Sequence, residues 1–257
     1  MLSEIYSQKC RETSHISEER EMSLPYNLPQ IAVYLEVPVE PRFGSHACFA
    51  TITASRKLVV IPTPYQRSVA VGTILGDSYL TKNKSLQVEH STQQASYVGW
   101  KHSVFTDVAG KISDVSRIHP KTGVGSVSKR FYTNKSFQDL EPLFYKVEGN
   151  KRRKVIPPGI GDLLDPVSLA VWYMDDGGKA QNTPKGAYIN VSNFSEPERE
   201  LLRDSVNMVF ELKTRLHKAG GNNQWNIYVP AESYDKFIEI VSPTVSQIPE
   251  MIYKIGG

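Results

Sequence analysis

Two short segments dominate what this chain can become: Ala70-Val71-Gly72-Thr73-Ile74-Leu75-Gly76-Asp77-Ser78 and Leu169-Ala170-Val171-Trp172-Tyr173-Met174-Asp175-Asp176-Gly177. Each sets a carboxylate at the end of an apolar run of helix length. Asp176 lies 99 residues beyond Asp77, and each is followed at nearly the same distance by a lysine, Lys154 after 77 residues and Lys254 after 78. Two carboxylates and two lysines in one repeated order indicate a duplicated unit with half of a reactive centre in each copy. The repeat extends to apolar positions: Phe131-Tyr132, Ser136-Phe137 and Leu140 reappear as Ile227-Tyr228, Ser233-Tyr234 and Phe237.

The rest of the chain narrows the function classes. With 257 residues, 40% of them apolar and 10% aromatic, it has ample material for a core. No run is long and apolar enough for a membrane span. Cys10 and Cys48 are the only cysteines, and no Cys or His cluster has zinc-ligand spacing, which argues against a disulfide scaffold or a zinc module. Glu4, Glu12, Glu18 and Glu19 near the start argue against an Arg-rich presequence or a secretion signal, so an intracellular compartment is expected. Synthesis inside a mitochondrion or chloroplast would need no such signal. The net charge of +3 is unevenly placed. Lys111, Arg117, Lys121, Lys129, Arg130 and Lys135 face only Asp114 across their stretch, and residues 146–154 hold five basic residues against Glu148, patches that suit a polyanion.

Residues 1–65 read as an N-terminal extension of unknown role, with a hairpin expected from alternation over 31–39 and a second strand over 47–54. From there each copy, 66–157 and 158–257, reads helix, two strands, helix, two strands, helix. Ser195 and Glu198 have capping-box spacing, which predicts a helix from there to about Leu212. Strand alternation gives each copy one polar face. In the first copy it holds Ser85, Gln87 and Glu89, then Ser128, Arg130 and Tyr132. In the second it holds Tyr188, Asn190 and Ser192, then Lys213, Arg215 and His217, and then Gln224, Asn226 and Tyr228. Arg, Lys, Asn and Gln on such a face match the donor and acceptor pattern of a DNA major groove. Lys129 joins this candidate surface, and Lys151 and Arg152, placed outside the strands, are candidate phosphate contacts.

Both nine-residue segments match the LAGLIDADG pattern of homing endonucleases at its defining eighth position, and the chain resembles the single-chain, two-motif branch. The resemblance implies an α+β fold of two pseudo-symmetric αββαββα halves. These form a saddle over the duplex, with the motif helices packed at the pseudo-twofold axis. It implies that Asp77 and Asp176 bind Mg²⁺, for which Mn²⁺ can substitute, with the backbone carbonyls of Gly76 and Asp175 as further ligands. Oxygen donors without His or Cys favour that choice independently. It further implies that Lys154 and Lys254 polarise the attacking water or the strained phosphate. The expected product is a double-strand break in a long asymmetric DNA target, made by a monomer. Two other readings stay open: a maturase that binds intron RNA on the same scaffold, and a DNA-binding regulator without nuclease activity.

Overall fold

The computed structural model describes residues 60–256 other than 182 and 222. The expected N-terminal hairpin and both cysteines lie outside the described residues. No helix among the described residues is long and apolar enough to cross a membrane.

The two motif segments are the C-terminal parts of helices α1 (Pro64–Leu75) and α4 (Pro166–Asp176). Both helices start by the same device. Thr63 and Asp165 accept a hydrogen bond from the backbone N–H three residues on, at 3.1 and 2.7 Å, while Gln66 and Ser168 reach back to the N-cap N–H at 2.9 and 2.8 Å. A proline at the first helical position suits the fixed φ there.

The helices cross closely because α1 is bare where they meet. A Cβ on Gly72 would lie 2.4 Å from the Ser168 carbonyl oxygen and 2.8 Å from the Val171 Cβ, and one on Gly76 would lie 2.5 Å from the Asp175 Cβ. The contact is asymmetric, as the pairing of Gly72 and Gly76 with the larger Val171 and Asp175 leads one to expect. Helix α4 is fully enclosed from Ser168 to Met174, and Tyr173 packs edge-on against Phe237 with centroids 4.9 Å apart.

Each motif helix leads into a four-stranded antiparallel sheet with the same order of neighbours. In the first half the order is β1 (Tyr79–Leu80), β2 (Leu86–Ser91), β4 (Gly125–Tyr132), β3 (Ser113–Ile118), with α2 (Ala95–Val104) between β2 and β3. In the second it is β7 (Gly177–Lys179), β8 (Ala187–Asn190), β10 (Trp225–Val229), β9 (Arg215–Lys218), with α5 (Glu196–Phe210) between β8 and β9, and α6 (Ala231–Val245) after β10. Helix α5 begins at the expected capping box, where Glu198 accepts from the Ser195 N–H at 2.8 Å, and ends at Glu211 in the left-handed region. One continuous apolar core runs through both halves.

The first half departs from the expected pattern after β4. Instead of a full helix it has a 3₁₀ stretch, Lys135–Leu140, and one α-turn, α3 (Glu141–Phe144). Phe137, Leu140 and Phe144, spaced three and four apart, bury one apolar stripe in this short segment. The chain then adds a hairpin, β5 (Tyr145–Glu148) and β6 (Lys151–Lys154), so Lys151 and Arg152 lie on a strand and not outside one.

Candidate catalytic centre and nucleic-acid face

The centre is built where α1 and α4 end. A carboxylate at a helix C-terminus meets the negative end of the dipole, and here several meet. Burial first, then the charges of Asp77 and Asp175, push the Asp176 carboxyl up to about 7. Burial and the Asp175 charge raise Asp77, whose side chain is half exposed. The structure thus brings both expected acids into one electrostatically coupled group with access to solvent.

Lys154 and Lys254 also arrive at this place, by different routes. From the end of β6, Lys154 Nζ donates to the carbonyls of Ile74 (2.6 Å), Ser78 (2.9 Å) and Gly76 (3.0 Å). From a 3₁₀ turn, Pro249–Lys254, the Lys254 ammonium donates to Met174 (2.5 Å), Gly177 (2.8 Å) and Tyr173 (3.4 Å). Ile74 and Ser78 stand 99 residues before Tyr173 and Gly177, so the repeat holds down to the carbonyls. Each ammonium therefore caps the last turn of its motif helix, where cations are favoured. This differs from the expectation that they point at water or phosphate: an ammonium has three protons, and all three are directed at carbonyls. The Gly76 carbonyl, an expected ligand, is engaged by Lys154, and the Asp175 carbonyl is not among the acceptors of Lys254.

Sequence reasoning missed a further set of polar groups beside the acids, among them His90, where no histidine was expected: its Nδ1 lies 3.7 Å from Asp77 Oδ2. Asp175 is fully buried, and both its oxygens accept from Lys101, itself fully buried, at 2.9 and 3.0 Å. Tyr97 donates its hydroxyl to Asp175 Oδ1 at 2.8 Å, and His90 Nε2 lies 3.2 Å from the Lys101 ammonium. Burial, then the Lys101 charge, lower His90 to about 4. Tyr97 and Lys101 are four apart on α2 and share its inward face, a lysine on an apolar stripe that the sequence already displayed.

Both sheets present the expected polar face. In the second half, Asn190 pairs with Asn226 and Asn226 with His217, while Tyr188 pairs with Tyr228 and Tyr228 with Arg215. The His217 and Tyr228 rings stack at 4.5 Å. Gln224 is exposed just before β10. Lys213 precedes β9 and lies 3.5 Å from Glu232, which also pairs with Arg215 at 3.2 Å. Ser192 lies beyond β8, with its hydroxyl accepting from the Trp225 N–H at 3.0 Å.

In the first half, Gln87 pairs with Tyr132 and Glu89 with Arg130 on one face. Glu89 is held by both Arg117 and Ser128, a pairing across strands that sequence reasoning did not foresee. Two expected residues are placed elsewhere. Lys129 is one step out of register, opposite buried His90 and Asp114, and bonds Asp114 at 2.8 Å on the other face. Arg152 lies over the Tyr145 ring at 3.6 Å and donates to the Leu80 carbonyl at 2.7 Å, which makes it a structural clamp on β1. Lys151 is exposed.

The comparisons with known proteins agree with this geometry. A sequence profile described as the LAGLIDADG DNA endonuclease family matches residues 67–237. A probable intron-encoded endonuclease of Wickerhamomyces canadensis is 30% identical over 202 residues, covering 74% of this chain and 83% of its own. A cytochrome b mRNA maturase bI2 of Debaryomyces hansenii is 26% identical, with 72% and 71% covered. The solved homing endonuclease I-WcaI bound to its DNA recognition sequence superposes with a TM-score of 0.66 at 29% identity, over 76% of this chain and 87% of that one.

Proposed function

Since this chain belongs to the LAGLIDADG DNA endonuclease family, we propose that it acts as a monomeric, metal-dependent homing endonuclease that cuts both strands of a long asymmetric DNA target. The observation that carries this reading is the convergence of Asp77 and Asp176 at one crossing, each beside an ammonium that caps its own helix. A divalent cation suits the donors present: two acids whose ionisation is opposed by burial and mutual charge, with room left by the half-exposed Asp77. Asp77 and Asp176 would hold it, and it would supply charge neutralisation at the phosphate and a more acidic water.

The chain's own groups do the remaining work. Lys154 and Lys254 fix the helix ends, so that the two carboxylates meet the phosphates of opposite strands in set positions. The polar faces carrying Gln87, Arg130 and Tyr132, and Asn190, Arg215, His217, Asn226 and Tyr228, read one half-site each. Because the halves differ in sequence, the half-sites differ too, and no palindrome is needed.

A second reading, intron RNA binding, is favoured by the likeness to the Debaryomyces hansenii maturase. One experiment addresses both. A plasmid library of randomised targets is incubated with the protein and Mg²⁺, linear products are sequenced, and a parallel arm measures binding to intron RNA. Recurrent, non-palindromic cut sites support the endonuclease. Intact plasmids with tight RNA binding would leave the maturase.

A further inference from the structure

Asp77, His90 and Asp175 bring three ligand-type atoms within 4.8 Å of one another, the outline of a cation site. The cation beside them belongs to the chain. Lys101 Nζ lies 2.9 and 3.0 Å from the two Asp175 oxygens, 3.2 Å from His90 Nε2 and 4.4 Å from the centre of the Tyr97 ring. His90 in turn places Nδ1 3.7 Å from Asp77 Oδ2. A buried ammonium therefore holds the imidazole that lies beside one of the two candidate acids, at 3.7 Å, a packing contact longer than a hydrogen bond.

Among the described residues nothing equivalent stands on the other side. The pairings Val88 with Phe131 and Ile189 with Ile227 align the sheets, and the step from Val88 to Ile189 is the same as that from Ala95 to Glu196, the starts of α2 and α5. By that alignment His90 corresponds to Val191, Lys101 to Leu202 and Tyr97 to Glu198. Val191 and Leu202 are buried and apolar, and Glu198 turns away to Arg153 at 2.8 Å. Leu202 fills its place without charge, so packing does not require an ion pair at 101, and buried ion pairs add little net stability over apolar packing.

We propose that Lys101, acting through His90 and Asp175, is a positioning residue for the Asp77 side alone, so that the two DNA strands are cut at unequal rates through a nicked intermediate. The ammonium neutralises Asp175, which leaves Asp77 and Asp176 as the acids that meet phosphate. It also anchors His90, whose ring packs beside the Asp77 carboxylate and limits where that side chain can swing. Among the described residues Asp176 has no such neighbour, since Val191 and Leu202 occupy the matching places. This rests on the endonuclease reading.

The test follows a supercoiled plasmid carrying the selected target, with strand-resolved rates from end-labelled duplex. In the parent protein the two strands are cut at different rates. In Lys101→Met one strand slows by about 10-fold or more, the range for removing a partner behind a reacting group, the other changes little, and nicked circles accumulate. Because a lone buried Asp175 could impair folding, the same assay is run on Lys101→Met with Asp175→Asn, which removes both charges, with thermal melting as the check on folding. Its strand bias should match the single variant's. Equal slowing of both strands, or no change in either variant, overturns the proposal. A parent protein that leaves the plasmid supercoiled overturns the endonuclease reading itself.

Discussion

The two halves reach one result by unlike means. In the second, a full helix α6 and a short 3₁₀ turn deliver Lys254 to the end of α4. In the first, that helix shrinks to one turn, and the β5–β6 hairpin brings Lys154 to the end of α1. What is held fixed is the ammonium on the carbonyls of the last turn, and what varies is the scaffold that carries it. The flanks differ more deeply, with His90, Tyr97 and Lys101 on one side and Val191, Glu198 and Leu202 on the other. A duplicated chain can therefore keep a symmetric pair of acids while each side acquires its own surroundings.

The largest effect that would break this comparison is at the crossing. Gly72→Val must displace the α4 backbone, since its Cβ would start 2.4 Å from the Ser168 carbonyl, and a loss of ~3 kcal/mol or more is expected in chemical denaturation. Val171→Ala, across the same contact, leaves a small space and should cost clearly less. Equal losses would show that the crossing is not asymmetric in energy.

The lysines come next. Lys154→Met and Lys254→Met should each slow cleavage by ~10² at saturating DNA, the scale of removing one fixed charge near a developing one. If the two scaffolds are equivalent, the two losses agree within a few-fold. A defect in DNA affinity alone would instead make Lys154 a phosphate contact.

Base reading should respond one half at a time. Arg215→Ala is expected to cost ~1–3 kcal/mol at positions within a single half-site, read by competitive selection on a randomised target. Glu89→Gln should alter preference only in the other half-site, by freeing Arg117 from its carboxylate partner. Lys151→Ala should weaken all sequences together and reduce the salt dependence of binding.

The effect confined to one side chain is on stability against pH. The Asp176 carboxyl is raised from an ordinary 3.8 to about 7. The folded state then holds a proton that the unfolded state has lost, and stability falls as pH rises from about 4 to about 7. Asp176→Asn should accordingly melt a few degrees higher than the parent at pH 8 without divalent cations, with the gain gone at pH 4. An unchanged difference across that range would show that Asp176 carries no raised carboxyl.

Much of this was legible in the sequence, because the features that repeat are local. Asp77 and Asp176 announce themselves by the apolar run before them, and the alternation of Arg215 with His217, or Asn226 with Tyr228, sets a sheet face without further information. What was not legible depends on partners distant in the chain. Lys101 meets Asp175 across 74 residues. Lys151, Arg152, Arg153 and Lys154 read as one basic run, yet Arg152 is drawn to Tyr145 and Leu80, Arg153 to Glu198, and Lys154 to the end of α1. Lys129 is one residue from Arg130, and a single step along a strand reverses the face. The capping box at Thr63 shows in its spacing to Gln66, whereas at Asp165 the partner is Ser168, a residue the usual pattern does not contain.

The central claim is that one acid from each half serves a shared centre, and its most direct measurement is cleavage of the selected target by Asp77→Asn and Asp176→Asn in Mg²⁺, with binding followed separately by gel shift. The account predicts that each variant keeps most of its DNA affinity, since affinity rests on phosphate and groove contacts, and that neither produces linear plasmid. Linear product from either variant at near the parent's rate would contradict it.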